Sequence, residues 1–359
     1  MNKLTFGETN CDYLMKIGIL TFHLGPNHGG YLQAYCLCEY IKSMGHEVEI
    51  INYKNAHHHD RETFRPWVYR RPWKLYHAWI KERVFRKAYQ ELPLSEFTTN
   101  VNEVKWEKYD VVVIGSDVVW DFSWPWLGHD HVYFGDFGRE YHGKRIAYAP
   151  SSGTVHPETV IPTWVKEGLA GMDGICARDE NTACIVRKAC GRNPLVVVDP
   201  TWLDMEYCET PVTKEKHLVV YAYEVSEDER KAIVAYARKN GLRIIALGYS
   251  QSWADENNMK LGPLEWPAIM ERASAVVAGT FHGTLYAIKT QSQFVTLYND
   301  RIKYRIQKPL QVAELEQRML KSAADFEEVM NQVIDYRVVM DRLGPYVESS
   351  RAYLSEHLT

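Results

Sequence analysis

Ten short runs of apolar and β-branched residues recur along the chain, separated by longer segments with helical periodicity. Continuous apolar runs are typical of parallel strands that helices cover on both faces, whereas a strand with one solvent face alternates apolar and polar residues. Strand–helix–strand repeats with short turns form right-handed units of open parallel sheets, so the pattern predicts an α/β fold. The predicted strands are residues 16–20, 48–53, 110–116, 145–150, 174–178, 195–199, 217–223, 243–249, 275–279 and 293–298.

A polar, proline-containing stretch at residues 200–216 interrupts this series of strands. The chain has 359 residues, and single hydrophobic cores stop growing at roughly 250–300 residues. We therefore expect two Rossmann-like domains, residues 1–205 and 206–359, that face each other across a cleft. Residues 323–342 and 344–357 are predicted as two terminal helices that pack back on the domains.

Two internal helices have sequence signals at their ends. Residues 30–44 precede Gly45, a residue type that often follows the last turn because it adopts a left-handed conformation at low cost. Residues 226–240 begin with Ser226 and Glu229, which have the spacing of a capping box. These signals predict one helix after the first strand and another near the start of the second domain.

Residues 55–95 are a basic, aromatic insertion after the second strand, with helical periodicity in the second half. One interpretation is a solvated helical arm over the cleft. The other is an arm that binds an acceptor or a partner protein, since Arg, Trp and Tyr are enriched at binding hot spots. The run His57-His58-His59-Asp60 has metal-ligating side chains, but adjacent histidines on one loop rarely converge on one ion, and we expect no metal site.

Composition narrows the class of protein. A formal net charge of −4 gives no reason to expect a nucleic-acid partner. The 23 tyrosines and 11 tryptophans suit stacking on sugar rings, and they suit a large core or interface as well. The seven cysteines lack CxxC and zinc-ribbon spacings, which is typical of reduced core residues. We expect a cytoplasmic protein, because neither a signal peptide nor a run of ~18 apolar residues is evident.

Five strand ends carry residue types suited to ligand binding, and ligands of open α/β sheets bind at the carboxyl ends of strands. The first is the turn Asn27-His28-Gly29-Gly30, which leads into a predicted helix. Glycines allow the backbone to approach a ligand, and a helix N-terminus binds anions through its free N–H groups. The turn lacks the GxGxxG pattern of dinucleotide-binding proteins, and most turns between a strand and a helix carry glycine, so a ligand-binding turn and a purely structural one are both open interpretations.

The next two strand ends carry charged residues. Asp117 follows Ser116 and is either a helix N-cap or a carboxylate that accepts a proton from a sugar hydroxyl. Arg178 either binds a phosphate or carboxylate through paired N–H donors or forms a salt bridge with Asp179 or Glu180. Residue type alone leaves both pairs of alternatives open.

The last two strand ends differ in character. Asp199 begins an Asp-Pro-Thr turn, which we interpret as fixing the geometry between the domains, with Asp199 capping backbone donors. Thr280, His282, Gly283 and Thr284 open a helix directly after a strand of small apolar residues. A histidine at a helix start is often a simple surface residue, but here flanking glycines and a buried strand favour a functional role beside anion-binding amides.

Together, these strand ends resemble the polysaccharide pyruvyl transferase family over about residues 15–310. The matching segments are NHGGYLQAY, VVVIGSDVVW, RIAYAPSSG, ARDENT, VVDPTWL and GTFHGTLYAI. Many members carry Arg where Thr280 stands and Asp where Gly30 stands, and the pattern here is that of a Ser/Thr-Phe-His-Gly subgroup. The resemblance implies a two-domain fold like that of the GT-B glycosyltransferases.

The resemblance also implies an activity, the transfer of a pyruvyl group from phosphoenolpyruvate to a sugar with formation of a ketal. Phosphoenolpyruvate is then a co-substrate, no cofactor is needed, and the acceptor is a sugar or a lipid-linked oligosaccharide that brings peripheral contact with a membrane. His282 and Asp117 are the expected catalytic residues. The expected substrate-binding residues are Asn27, His28, Gly29, Gly30, Ser116, Arg178, Thr280, Gly283, Thr284 and Arg301.

Two other functions fit the same pattern. One is a glycosyltransferase with a nucleotide-sugar donor, in which Glu224 or Glu265 would bind the ribose. The other is a sugar-binding or assembly protein without catalysis.

Overall fold

The computed structural model describes residues 14–63, 65, 67, 71–124, 129–205 and 212–359. Six of the predicted strands form one fully parallel sheet in the order β2-β1-β3-β4-β5-β6. Their bounds are β1 (Lys16–Leu20), β2 (Glu47–Ile50), β3 (Val111–Ile114), β4 (Lys144–Ala147), β5 (Gly174–Ala177) and β6 (Leu195–Val196). The buried side chains on both faces explain why these strands lack an alternating pattern.

The other four predicted strands form a second parallel sheet in the order β12-β11-β10-β7-β8-β9. Its strands are β7 (Glu215–Tyr221), β8 (Arg243–Leu247), β9 (Glu256–Asn258), β10 (Ala273–Ala278), β11 (Phe294–Leu297) and β12 (Met319–Leu320). The edge strands β9 and β12 were not predicted, because they have three and two residues and no apolar run. The prediction of two Rossmann-like sheets is confirmed.

Helices connect the strands and begin at the predicted signals. Ser226 and Glu229 form the expected capping box, and the Asn27 side chain starts the first helix two residues before residue 30 by accepting from the Gly29 N–H. The helices are α1 (His28–Ser43), α2 (Ala56–Glu62), α3 (Pro72–Ala88), α4 (Thr163–Ala170), α5 (Glu180–Cys190), α6 (Glu227–Lys239), α7 (Trp266–Arg272), α8 (Phe281–Lys289), α9 (Lys303–Ala313), α10 (Phe326–Asn331) and α11 (Tyr336–His357).

The predicted pair of terminal helices, 323–342 and 344–357, is wrong. Helix α11 runs without interruption through Gly344 and Pro345. The first predicted segment is instead divided, because residues 332–335 between the short α10 and the start of α11 are not helical. Proline inside a helix costs about 3 kcal/mol through one lost hydrogen bond and a steric clash. A buried stripe on both sides of the proline, which includes Leu343 and Val347, offsets that cost.

Helix α11 packs back on the first sheet, as expected. Its Ser350 hydroxyl accepts from the Val198 N–H at 2.9 Å, and the Tyr353 hydroxyl donates to the Ala147 carbonyl at 3.0 Å. The last helix therefore contacts the sheet at the other end of the chain. The division between residues 205 and 206 stays a prediction, because residues 206–211 lie outside the described part of the chain.

Contacts between the turn that follows β6 and helix α8 join the two halves of the chain. The Trp202 indole donates to the Leu285 carbonyl at 3.1 Å, and the Lys289 ammonium donates to the Thr201 carbonyl at 2.8 Å. One hydrophobic core cluster contains residues of both sheets, such as Ile19. The turns after β1 and β10 consequently face each other across a cleft.

The insertion contains α2 and the longer α3, so its predicted helical half is confirmed. None of the helices in the described ranges is both long and apolar enough to cross a membrane. The described cysteines are free thiols, whereas Cys11 and Cys208 lie outside those ranges.

Candidate functional site

The imidazole of His282, in the first turn of α8, lies directly against Gly29, in the first turn of α1. A Cβ atom built on Gly29 would lie 2.0 Å from Nδ1 and 2.4 Å from Cγ of His282. The neighbouring Gly30 has ordinary room, because the nearest atoms to a Cβ there, which belong to Asn27 and Phe22, are 3.5 Å away. Gly29 is thus required for space, and it allows the histidine of one domain to rest on the first helix of the other.

His282 also faces a buried carboxylate. Its Nε2 lies 3.4 Å from Oδ2 of Asp199, and the two residues are 8% and 3% exposed. The second oxygen of Asp199 accepts from the N–H and the hydroxyl of Thr201, at 3.1 and 2.8 Å. The predicted capping role of Asp199 is confirmed, but its contact with His282 was not predicted.

Asp199 stays ionised despite its burial. Burial alone would raise its pKa, but the charge and hydrogen bond of His282, the Arg178 guanidinium and the Thr201 N–H together hold that pKa below its ordinary range. Arg178 contributes Nη1 at 2.9 Å from Oδ2. A buried carboxylate between a guanidinium and an imidazole fixes the orientation of both.

Arg178 pairs with neither of the acids next to it in the chain. Asp179 caps α5, and Glu180 faces Lys308 at 3.3 Å. Besides Asp199, the guanidinium reaches the Ser116 hydroxyl at 3.3 Å and Oδ1 of Asp117 at 3.6 Å. The fully buried Ser116 and Arg178 therefore act from behind the cleft by holding two carboxylates.

Asp117 has a left-handed backbone, with φ of 67°, at the end of β3. Its side chain accepts from the Val118 N–H at 2.8 Å and borders the cleft. Non-glycine residues with positive φ are uncommon and cluster at functional sites. Asp117 does not cap any α-helix of the described residues. These contacts are compatible with the other predicted role, a carboxylate that accepts a proton from a sugar hydroxyl.

Two guanidinium groups lie near the Phe281 ring. The Arg178 Cζ lies 4.5 Å from the ring centre and the Arg305 Cζ lies 5.7 Å from it. Arg305 on α9 was not predicted; burial and the nearby charge of Arg178 lower its pKa to about 10.

The predicted Arg301 is exposed, lies 3.9 Å from Glu224, and stands four residues before Arg305. The i,i+4 spacing of the two arginines is the signal that could have identified Arg305.

These groups surround a cavity of about 220 Å³ between the sheets. Five predicted site residues line it: Asn27, Asp117, Thr280, His282 and Arg301. The other lining residues are Tyr221, Tyr223, Tyr249, Gly279, Phe281, Asn299, Ile302 and Arg305. Acid, base and cationic groups in one interdomain cavity are suited to binding and protonating an anionic substrate.

Several predicted residues serve the structure around this cavity. Thr284 is fully buried, and its hydroxyl bonds the Thr296 hydroxyl at 2.8 Å. His28 is buried and donates from Nε2 to the Leu261 carbonyl at 3.2 Å. Burial, together with Lys81, lowers the pKa of His28 to about 3, so the ring is neutral. These two side chains hold neighbouring elements together and do not line the cavity. Gly30, which the resemblance also assigns to substrate binding, does not line the cavity either.

The amides of Gly29 and Gly283 already have partners. The Gly29 N–H donates to Oδ1 of Asn27 at 3.1 Å, and the Gly283 N–H donates to Oγ1 of Thr280 at 3.0 Å. The sequence predicts anion-binding amides at both of these helix starts. Both amides are therefore engaged in capping their own helices in this structure.

The run His57-His58-His59-Asp60 lies at the start of α2, where Nε2 of His58 faces Glu62 at 3.1 Å. Within the described ranges, no group of three or more His, Cys, Asp or Glu side chains could hold a metal ion.

Comparison with known proteins identified one family. The sequence model of the polysaccharide pyruvyl transferase family matches residues 27–301, which is more than half of the 359 residues. The matched region begins at Asn27 and contains Asp117, Asp199 and His282. A comparison with curated proteins found no match.

Solved structures with a similar fold include UGT89C1 from Arabidopsis thaliana. Its complex with UDP has 12% sequence identity and a TM-score of 0.51, covering 96% of this chain and 98% of that chain. The complex with UDP-L-rhamnose has 10% identity and a TM-score of 0.52, with the same coverage. At this identity the likeness concerns the fold alone, and the expected GT-B-like arrangement of two Rossmann-like domains is confirmed.

Proposed function

The chain belongs to the polysaccharide pyruvyl transferase family, and from this premise we propose that it transfers a pyruvyl group from phosphoenolpyruvate to a sugar. The sugar is part of a polysaccharide or of its lipid-linked precursor, and the product is a pyruvate ketal. The observation that carries the proposal is the interdomain cavity in which His282, Asp117 and Arg305 meet.

The cationic groups of the cavity support an anionic donor. Arg301 and Arg305 both line it, and phosphoenolpyruvate offers a phosphate and a carboxylate, which guanidinium groups bind through paired N–H donors. Arg305 donates to the Arg301 carbonyl, and no described carboxylate lies within ion-pair distance of it. A half-buried guanidinium without a carboxylate in direct contact favours an anion from outside the protein.

We assign His282 as the acid that protonates the donor. The ionised Asp199 beside Nε2 orients the ring, and Gly29 provides the room in which the ring lies. Orientation of an imidazole by a buried carboxylate is a recurring arrangement in general acid–base catalysis. Asp117 lines the same cavity from the first half of the chain, whereas His282 belongs to the second half. We assign Asp117 as the base for the sugar hydroxyl.

The proposed reaction has two bond-forming steps. His282 transfers a proton to the methylene carbon of phosphoenolpyruvate, and the oxygen of a first sugar hydroxyl bonds to the neighbouring carbon while its proton passes to Asp117. The bond from that carbon to the phosphate oxygen then breaks, and a second hydroxyl of the sugar bonds to the same carbon. One hydroxyl proton ends in the new methyl group by way of the catalytic residues, and the other leaves with the phosphate.

A thermal-shift experiment separates this proposal from a nucleotide-sugar transferase. A ligand that binds only the native state at 100 times its Kd stabilises it by about 2.7 kcal/mol, so the correct donor raises the melting temperature measurably. We expect phosphoenolpyruvate to raise it and UDP to leave it unchanged. A rise with UDP alone would favour the glycosyltransferase, and no rise with either would favour a non-catalytic protein. Phosphate release from phosphoenolpyruvate across a panel of lipid-linked sugars then identifies the acceptor.

A further inference from the structure

A second, larger cavity adjoins the proposed donor site. It has a volume of about 1010 Å³, and its walls are α2, α3 and the residues that follow β8. Tyr223 and Tyr249 line both cavities, and their ring centres are 5.6 Å apart with the planes nearly perpendicular. The two spaces are therefore parts of one cleft that meet at this tyrosine pair.

Lys81 reaches into the larger cavity from the inner side of α3. Its ammonium donates to the Gly248 carbonyl at 3.2 Å and lies 5.0 Å from the ring centre of Tyr249. Within the described ranges, no carboxylate lies within ion-pair distance of this ammonium. The adjacent Glu82 faces Arg86 instead, at 3.4 Å. Burial alone lowers the pKa of Lys81 to about 8. A poorly solvated ammonium with only a carbonyl and a ring as partners marks a place for a negative charge.

The acidic groups of the cavity wall are already engaged with other cations. Asp60 pairs with Arg65, and Glu62 pairs with Lys54 at 2.5 Å. They consequently offer little charge to neutralise Lys81. The wall thus combines a cation that lacks a counter-ion with aromatic surface. A cation of this kind binds an anionic group, and aromatic rings pack against a sugar.

We propose that the larger cavity binds the acceptor of the transfer, and that this acceptor is a sugar carrying a phosphate or diphosphate that pairs with Lys81. The inference rests on the proposed function for the role of acceptor. The volume matches the upper end of the ~300–1,000 Å³ typical of small-molecule sites, enough for a sugar together with its phosphate. Tyr223 and Tyr249 then hold the sugar between Lys81 and the proposed donor site.

The first experiment measures the anion subsite without an acceptor. Pyrophosphate is titrated calorimetrically into the wild type and into Lys81→Met, which keeps an unbranched apolar side chain but removes the charge. Lys87→Met is the matched control, because Lys87 is an exposed lysine on the same helix. We expect the control to bind like the wild type and Lys81→Met to bind at least tenfold more weakly. Equal binding by all three proteins would overturn the inference.

Pyrophosphate could also enter the donor cavity, and Arg305→Met tests this. Binding that is lost in Arg305→Met and kept in Lys81→Met would assign the anion to the donor site and overturn the inference. A free phosphate is distinguished from a sugar phosphate by titrating N-acetylglucosamine 1-phosphate beside pyrophosphate, with Tyr223→Ala as the variant, because Tyr249 is itself a partner of Lys81. The inference expects Tyr223→Ala to weaken only the sugar phosphate; an equal loss for both ligands would contradict the assignment of a sugar to this cavity.

Kinetics separate failure of this inference from failure of the proposed function. With an acceptor found in the phosphate-release panel, Lys81→Met should raise KM for the acceptor at least tenfold and leave KM for phosphoenolpyruvate unchanged. An unchanged KM for a phosphorylated acceptor would overturn the inference while the proposed function stands. Lys81-dependent anion binding in a protein that phosphoenolpyruvate does not stabilise would instead contradict the proposed function and leave the anion subsite in place.

Discussion

Replacement of Gly29 by alanine tests whether the contact between α1 and His282 controls catalysis. The new Cβ would lie 2.0 Å from Nδ1, whereas ordinary van der Waals contacts begin at 3.4 Å. The ring and the helix start must therefore separate by roughly 1.4 Å, and a displacement of about 1 Å at a catalytic group can cost 10²-fold in rate. We expect Gly29→Ala to lower kcat/KM about 100-fold, which corresponds to about 2.7 kcal/mol of transition-state stabilisation.

The assay is phosphate release from phosphoenolpyruvate in the presence of the acceptor, and Gly30→Ala is the control. Both substitutions place alanine in the first turn of α1, and each favours the helix by up to about 1 kcal/mol. A Cβ on Gly30 meets its nearest atoms at 3.5 Å, so nothing has to move. Gly30→Ala should keep activity within about threefold of the wild type.

A double variant shows whether the effect passes through His282. If Gly29→Ala acts only by displacing the imidazole, adding it to His282→Ala should cause no further loss. A further large loss in the double variant, or an equal loss in Gly30→Ala, would refute the assigned role of the contact. Wild-type activity in Gly29→Ala would refute it as well.

Three other substitutions test the charged groups of the site. His282→Ala should reduce turnover about 100-fold with an unchanged circular dichroism spectrum, as expected for loss of a general acid, and near-normal activity would disprove that role. Asp199→Asn should lower the free energy of unfolding in urea by about 3 kcal/mol, because it removes the closer of the two carboxylates that face the buried Arg178. Since the pKa of Asp199 is lowered from its ordinary 3.8 in the folded state, this difference should be complete above about pH 4 and shrink as the pH falls further; a difference that grows in acid would contradict the assignment. Arg305→Met should abolish the rise in melting temperature caused by phosphoenolpyruvate without lowering the melting temperature of the free protein, and a preserved rise would exclude Arg305 as a donor ligand.

Local signals in the sequence identify most of the secondary structure. Strand β1 has the predicted bounds, and the capping box at Ser226 begins α6 as expected, because these features depend on neighbouring residues alone. The same reasoning fails at Gly344 and Pro345, where packing of α11 on the first sheet outweighs a strong local signal for a break. It also misses β9, whose polar residues join the sheet only because β8 lies beside them.

The pattern of apolar runs is enough to predict the α/β class and the strand ends that carry the site, since parallel strands bring their carboxyl ends to one edge. It placed His282 and Asp117 on the cavity for that reason. Which side chains meet in the site follows from the packing of the two sheets, because the distances depend on how two separately formed sheets face each other. The ionised Asp199 beside His282, Arg305 on a neighbouring helix and the room that Gly29 leaves for an imidazole are all consequences of that packing.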